Sequence, residues 1–281
     1  MLENVNLERK LSRDEYQEVL PGLQRRLYDL EKACWDNRIP SIVIFEGWES
    51  SGKGGAIATL TQRLDPRGFK LQPIESPRTF EQNRPWLYRF WLRVPNRGEM
   101  VIFDRSWYIR VLDERVQGLQ PADVWRHAYR DITEFERMLS DDGAAIVKFF
   151  FHISKKEQKR RFRKLEADPL EAWRVTREAW RQNRAYEKHL EAAEEMLEMT
   201  ESEYAPWTIV EATSRWYARK KVFDTLIRVL EDRLGVNVPS EDVSEEAVLR
   251  EADIRQAMEK MEGEPSENNG AEKPARRKKG A

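Results

Sequence analysis

The sequence predicts an α/β fold built on a parallel five-stranded sheet flanked by helices. Two observations predict it. Five short apolar segments rich in β-branched and aromatic residues, at 42–45, 69–74, 100–103, 145–153 and 207–210, read as buried strands. Helical stretches with apolar residues three and four apart, at 55–64, 83–93, 121–139, 155–165 and 216–234, alternate with them, as in a sheet whose strands are joined by crossover helices. Ligands of such sheets sit at the C-terminal ends of the strands, so the turns leaving those strands are where chemistry is sought first.

Before the first strand, residues 1–38 read as a helical preface with Leu23, Leu27 and Leu30 on one apolar stripe and an expected interruption at Leu20-Pro21. The strand at 42–45 runs into Gly47-Trp48-Glu49-Ser50-Ser51-Gly52-Lys53, and a helix follows. This is a phosphate loop. Gly47 and Gly52 let the backbone curl with its N–H groups inward, Lys53 adds a point charge, and the helix contributes the positive end of its dipole. Ser50, Ser51 and Gly54 complete the candidate binding residues. Gly54 stands where most such loops carry a Ser or Thr whose hydroxyl holds magnesium, so a carboxylate is expected to replace it, and Glu49 lies inside the loop.

The strand at 100–103 ends in Asp104-Arg105-Ser106-Trp107-Tyr108-Ile109-Arg110. An aspartate there lies beside the loop and is the second candidate metal ligand. Arg105 and Arg110 bring forked donors suited to phosphate oxygens, structural ion pairs being the competing role. Trp107 and Tyr108 suit packing better than stacking on a base. The run 155–164 holds seven basic residues and one acid, which makes two basic stripes on a helix, and is either a solvated face or a track for a long polyanion. Residues 171–200 are helix-like with Trp173, Trp180, Tyr186 and Leu190 among charges, an excursion over the sheet edge. His127, His152 and His189 show no metal spacing. Residues 237–281 turn acidic and then basic with little apolar content, and are expected to be a disordered tail.

Composition narrows the class. The chain has 281 residues, 40% hydrophobic, with 49 Lys and Arg against 50 Asp and Glu, so no global charge favours nucleic acid. Cys34 is the single cysteine, which excludes an internal disulfide and multi-cysteine zinc sites and fits the reducing cytoplasm. No apolar run approaches a membrane span and no secretory leader opens the sequence, so a soluble cytoplasmic protein is expected.

The motifs 45–57, Arg89-Phe90-Trp91, 103–108, His152-Ile153-Ser154-Lys155-Lys156-Glu157-Gln158 and Tyr204-Ala205-Pro206-Trp207 together resemble the polyphosphate kinase 2 family over roughly residues 11–234. The resemblance is nearest to the halves of polyphosphate:AMP phosphotransferases. It implies a P-loop kinase fold over 39–236 with a helical lid at about 155–203. It further implies magnesium-dependent phosphoryl transfer between inorganic polyphosphate and AMP or ADP, and homo-oligomers. Carried over, Lys53 would bind phosphates, Glu49 and Asp104 would hold Mg2+, Arg105 and Arg110 would neutralise phosphate chains, and Arg161 and Arg174 would serve from the lid. Three positions depart from the family pattern: Glu49 replaces an aspartate, Ile109 replaces Asn or Gly, and Glu171-Ala172-Trp173-Arg174 replaces a more basic lid sequence. Two other readings stay open, a non-catalytic binder of polyphosphate or nucleotide and a P-loop kinase with another acceptor.

Overall fold

A computed structural model describes residues 2–236; the tail expected at 237–281 lies outside the described residues. The sheet has five strands, β1 (Ser41–Gly47), β2 (Phe69–Pro73), β3 (Met100–Asp104), β4 (Ala145–His152) and β5 (Trp207–Glu211). They run in the order β2-β3-β1-β4-β5, every pairing parallel. After β1 the chain turns toward β2, whereas after β3 it crosses to β4 on the other side. The C-terminal ends of these adjacent strands therefore flank a crevice, the topological switch point at which such sheets bind ligands.

The helices cover both faces. Val43, Phe45, Val147, Phe149 and Phe151 point to one face, packed by α1 (Arg13–Asp36), α2 (Lys53–Thr61) and α10 (Arg215–Leu234). Ile42, Ile44, Val101, Phe103, Ile146 and Phe150 point to the other. The period-two alternation puts two contiguous cores on a sheet buried on both sides.

Two expected features differ. The stretch 83–93 holds only the short α4 (Tyr88–Trp91), with another short helix, α3 (Thr79–Gln82), just before it. Pro85 lacks an N–H and disfavours helical geometry at Arg84, so the chain breaks there. Conversely, α1 runs through Pro21 without interruption. Pro21 is exposed, so water can serve the carbonyl whose helical donor is missing.

After β3 come a 3-10 turn (Trp107–Arg110), α5 (Asp113–Val116) and α6 (Ala122–Asp141). After β4 come α7 (Lys155–Glu166), α8 (Arg177–Arg184) and α9 (Tyr186–Met199), the region read as a lid. Ser154 and Thr176 cap α7 and α8 through their side-chain oxygens.

A buried charge ties the turn after β3 to the sheet. Lys148 and Glu136 are both 0% exposed; the ammonium donates to Glu136 Oε2 at 2.9 Å, Tyr108 Oη at 3.0 Å and the Thr200 carbonyl at 2.8 Å. Trp107 Nε1 and Tyr108 Oη donate to the other oxygen of Glu136. All three Lys148 protons are used, as burial of a charge requires. Trp107 and Tyr108 are thus packing residues, as their sequence context favoured. Lys148→Met is expected to cost about 3–5 kcal/mol by leaving the Glu136 carboxylate unpaired, with Lys148→Met/Glu136→Gln recovering part of it. Urea titrations of the two variants check this.

Candidate functional site

The loop expected at 47–53 leaves β1 and ends at the first residue of α2. Gly47 has φ +121°, and a Cβ there would lie 2.3 Å from the Phe151 carbonyl oxygen, so no other residue fits without moving β4. Gly52 has φ +109° and ends the curl at the helix N-cap. Between them Ser50 is held at φ +57°, a left-handed conformation that costs a non-glycine residue about 1 kcal/mol or more.

Lys53 is 7% exposed and folds back over the loop, donating to the carbonyls of Gly47 (3.0 Å) and Trp48 (2.9 Å). Trp48 is buried beside it. Its indole stacks on Tyr186 at 4.0 Å, and its Nε1 donates to His152 Nδ1 at 2.9 Å. Burial pushes the His152 imidazole down to about 4, so it is neutral near pH 7 and free to accept this bond. The folded value lies below the ordinary 6.5. The stability this contact gives is therefore complete above about pH 6.5 and is lost as pH falls toward 4. Denaturation midpoints of His152→Asn are expected to fall less steeply than those of the unaltered protein across that window.

Across the crevice, Asp104 ends β3 opposite Phe45 in register, and the Arg105 N–H donates to the Phe45 carbonyl at 3.0 Å. Arg105 also has positive φ, +62°, so backbone strain sits on both banks of the crevice. Its guanidinium donates to Glu49 Oε1. Burial works against the Arg105 charge, but the carboxylates of Glu49, Asp113, Glu46 and Asp104 outweigh it and raise its affinity for the proton above the ordinary value. Glu46 is buried and pushed up to about 7 by desolvation, which the Ser106 hydroxyl (2.8 Å) and Lys53 only partly offset. Burial also disfavours the charge of Asp113, yet hydrogen bonding from His189 and the field of Arg105 hold its carboxyl below the usual range.

The structure thus brings Glu49 and Arg105 into one crevice, with Lys53 folded against the loop and Asp104 at the end of β3 close enough for its charge to act on Arg105. The other expected basic residues have local partners. Arg110 pairs with Glu114 at 3.1 Å and lies over the Trp86 ring, and Arg174 pairs with Glu171 on an exposed turn. Arg161 is spent on the loop itself: it donates to the carbonyls of Ser50, Ser51, Ala212 and Thr213 and to Glu157. Within the basic run, Glu157 takes Arg160 and Arg161 and Glu187 takes Lys155, so three of the seven charges are compensated. Sequence reasoning missed Glu46, Asp113, Gln182 and His189, which line the crevice. Only Glu46 carried a signal, an acid between an apolar strand and the first loop glycine.

No helix among the described residues is long and apolar enough to cross a membrane. The family profile described as Polyphosphate kinase 2 (PPK2) matches residues 10–236. A polyphosphate:AMP phosphotransferase of Pseudomonas aeruginosa is 40% identical over 232 residues, covering 82% of this chain and 47% of that protein. An AMP/ADP-polyphosphate phosphotransferase of Meiothermus ruber is 35% identical, covering 83% and 88%. The crystal structure of polyphosphate kinase 2 from Arthrobacter aurescens superposes with a TM-score of 0.80 at 29% identity, covering 89% and 93%. The chain spans about half the length of the polyphosphate:AMP phosphotransferases it matches.

Proposed function

We propose a function from one premise: the chain belongs to the polyphosphate kinase 2 family. It transfers the terminal phosphoryl group of inorganic polyphosphate to AMP or ADP, and runs in reverse under nucleotide excess. The observation that carries this reading is the crevice between β1 and β3, where Arg105 donates to Glu49 and the charges of Lys53 and Arg105 both act on Glu46 and Asp113.

In the transfer an oxygen of the acceptor's last phosphate attacks the terminal phosphorus of the polymer. The bond to the bridging oxygen breaks, leaving a polymer one phosphate shorter and a nucleotide one phosphate longer. The protein need form no covalent bond to substrate; its task is to hold the two chains in line and to compensate charge on the moving group. Lys53 and Arg105 do this by exchanging their present partners, the Gly47 and Trp48 carbonyls and Glu49, for phosphate oxygens. Such an exchange of one acceptor for another costs little, whereas the added negative charge strengthens each bond. Arg110 reaches the same rim if Glu114 releases it. Arg161 holds the carbonyls of Ser50 and Ser51, and loop N–H groups other than those of Trp48, Glu49 and Ser51, which already donate to Phe151, Gln182 and Trp48, would meet the phosphates. The basic faces of the lid helices, with Arg174 at their tip, receive the rest of the polymer.

The donor set fits magnesium. The residues available are hard carboxylate oxygens, and their excess over Arg105 and Lys53 leaves room for a cation. Glu49 and Asp104 would hold the ion, which would supply positive charge to offset that of the phosphates. Among the described residues no group of three or more His, Cys, Asp or Glu is arranged to hold a metal alone, so phosphate oxygens and water would complete its shell. Assembly into a homo-oligomer and action in the cytoplasm belong to the same proposal.

Purified protein with magnesium and long-chain polyphosphate is given AMP, ADP, GMP or GDP separately, and each mixture is read for the nucleotide one phosphate longer. A product from AMP or ADP supports the reading. Binding without product would leave a non-catalytic binder, and transfer seen only when ATP replaces polyphosphate as donor would leave a P-loop kinase with another acceptor.

A further inference from the structure

Both backbone groups of Glu49 are held by side chains of the helices over the crevice. Its N–H donates to Gln182 Oε1 on α8 at 2.8 Å, and its carbonyl accepts from Gln158 Nε2 on α7 at 3.2 Å. The two amides also meet each other, Gln158 Nε2 donating to Gln182 Oε1 at 2.9 Å. Asn183, next along α8, donates to Gln158 Oε1 at 2.9 Å and to the Lys155 carbonyl at 3.2 Å. Gln158 is 0% exposed and Asn183 5%.

The orientation of each amide is set by chemistry. A backbone N–H can only donate, so Gln182 must present its oxygen to Glu49. A backbone carbonyl can only accept, so Gln158 must present its nitrogen. With both ends set, the contact between the two amides is complementary and Gln158 is left with an oxygen, which Asn183 fills. A flip of Gln182 would set like against like at two places and a flip of Gln158 at three, each an unsatisfied polar group worth about 1–3 kcal/mol where buried.

The adjoining residue is held as firmly: Trp48 stacks on Tyr186 of α9 and donates to His152. With residues 48 and 49 fixed by α7, α8 and α9, the one freedom left to Glu49 is its side chain, which reaches Arg105. We propose that Gln182 and Gln158 are positioning residues, a pair of lid-helix amides that grip the backbone of Glu49 and so aim its carboxylate into the crevice from the lid. A displaced lid helix would release the grip and turn the carboxylate away, which couples lid position to readiness for transfer. The kinetic part of this proposal rests on the function proposed above; the grip itself does not.

Two isosteric substitutions separate the grip from a general effect of charge or packing. Gln182→Glu keeps an oxygen for both of its donors. Gln158→Glu puts oxygen where two acceptors already lie. Each adds one negative charge beside the same loop. Hydrogen exchange of the peptide spanning residues 46–52 is followed in metal-free and nucleotide-free protein, with Gln182→Leu as a third variant. Exchange is expected to quicken by about tenfold or more in Gln182→Leu and Gln158→Glu, and to stay near that of the unaltered protein in Gln182→Glu. Turnover on polyphosphate and AMP or ADP should fall about tenfold in the first two through kcat, with the nucleotide KM within about twofold, while Gln182→Glu stays well above Gln158→Glu.

Unchanged exchange in both Gln182→Leu and Gln158→Glu would overturn the grip, whether or not the protein proves to be a phosphotransferase. Faster exchange with unchanged turnover would overturn the positioning role. Equal damage from the two glutamates would assign the effect to charge and overturn the proposal as well. Absence of turnover in the unaltered protein would instead count against the function, and the exchange data would still decide the grip.

Discussion

Lys53→Ala is expected to lower phosphoryl transfer by more than about a hundredfold while the protein stays folded. The magnitude is that of a charge aimed at a transferring phosphoryl group in a site shielded from water. The structure gives a reason to expect the fold to survive. Lys53 spends its bonds on the carbonyls of Gly47 and Trp48, in the loop at the C-terminal end of β1 and not between the sheet and its helices. Losing these bonds costs on the order of 1 kcal/mol, a few degrees in melting temperature at most. Initial rates and thermal melts on the same preparation test both halves. Near-normal turnover would mean that the loop does not hold the transferred phosphate; a collapsed melting curve would make the ammonium a structural clasp. Asp104→Asn should behave alike for the complementary reason, since it removes charge opposite the loop without changing size.

The part of this site carried by local chain geometry was legible in the sequence. Apolar runs bounded by turn residues marked the inner strands β3, β1 and β4, because a strand buried on both faces must be apolar throughout. The edge strands β2 and β5 were also located, but they are only partly buried and not the buried strands expected, β2 exposing Lys70, Leu71 and Pro73. The glycines of the loop were legible because the backbone itself demands them, Gly47 most of all through its contact with Phe151. What stayed hidden depends on distant parts of the chain. Gln182 meets the Glu49 N–H from 133 residues away, and no local pattern marks a glutamine on a charged helix as the partner of a loop amide. Asp113 read as one more acid in a polar stretch until the fold set it beside Arg105 and His189. Arg161 shows the converse. Its sequence neighbourhood is a run of positive charge, yet its guanidinium is consumed by backbone carbonyls, so the run is less free to meet a polyanion than its composition implies. Pro21 was overweighted, because a proline on the solvent side of a long helix loses one hydrogen bond that water can replace.

Replacement of Glu49 should separate charge from reach. The family resemblance read from the sequence implies an aspartate at this position; relative to it the carboxylate here is extended by about one methylene, and a misplacement near 1 Å can cost about a hundredfold in rate. In this structure the longer side chain is matched by its surroundings. The backbone of Glu49 is gripped on both sides by Gln158 and Gln182, and its carboxylate reaches the Arg105 guanidinium. A shorter side chain on a fixed backbone cannot follow. Glu49→Asp is therefore expected to lower turnover by about tenfold and to raise the magnesium needed for half-maximal rate. Glu49→Gln keeps the reach and removes the charge. It leaves Arg105 to Glu46, Asp104 and Asp113, and is expected to lose more than about a hundredfold at any magnesium concentration. Magnesium titrations of both variants at saturating polyphosphate and nucleotide decide the matter. Faster turnover by Glu49→Asp would show that the extra methylene is a geometric fault the pocket has not absorbed. Full activity of Glu49→Gln at ordinary magnesium would show that the carboxylate holds no metal, and would leave Asp104 as the carboxylate to which the ion must be assigned.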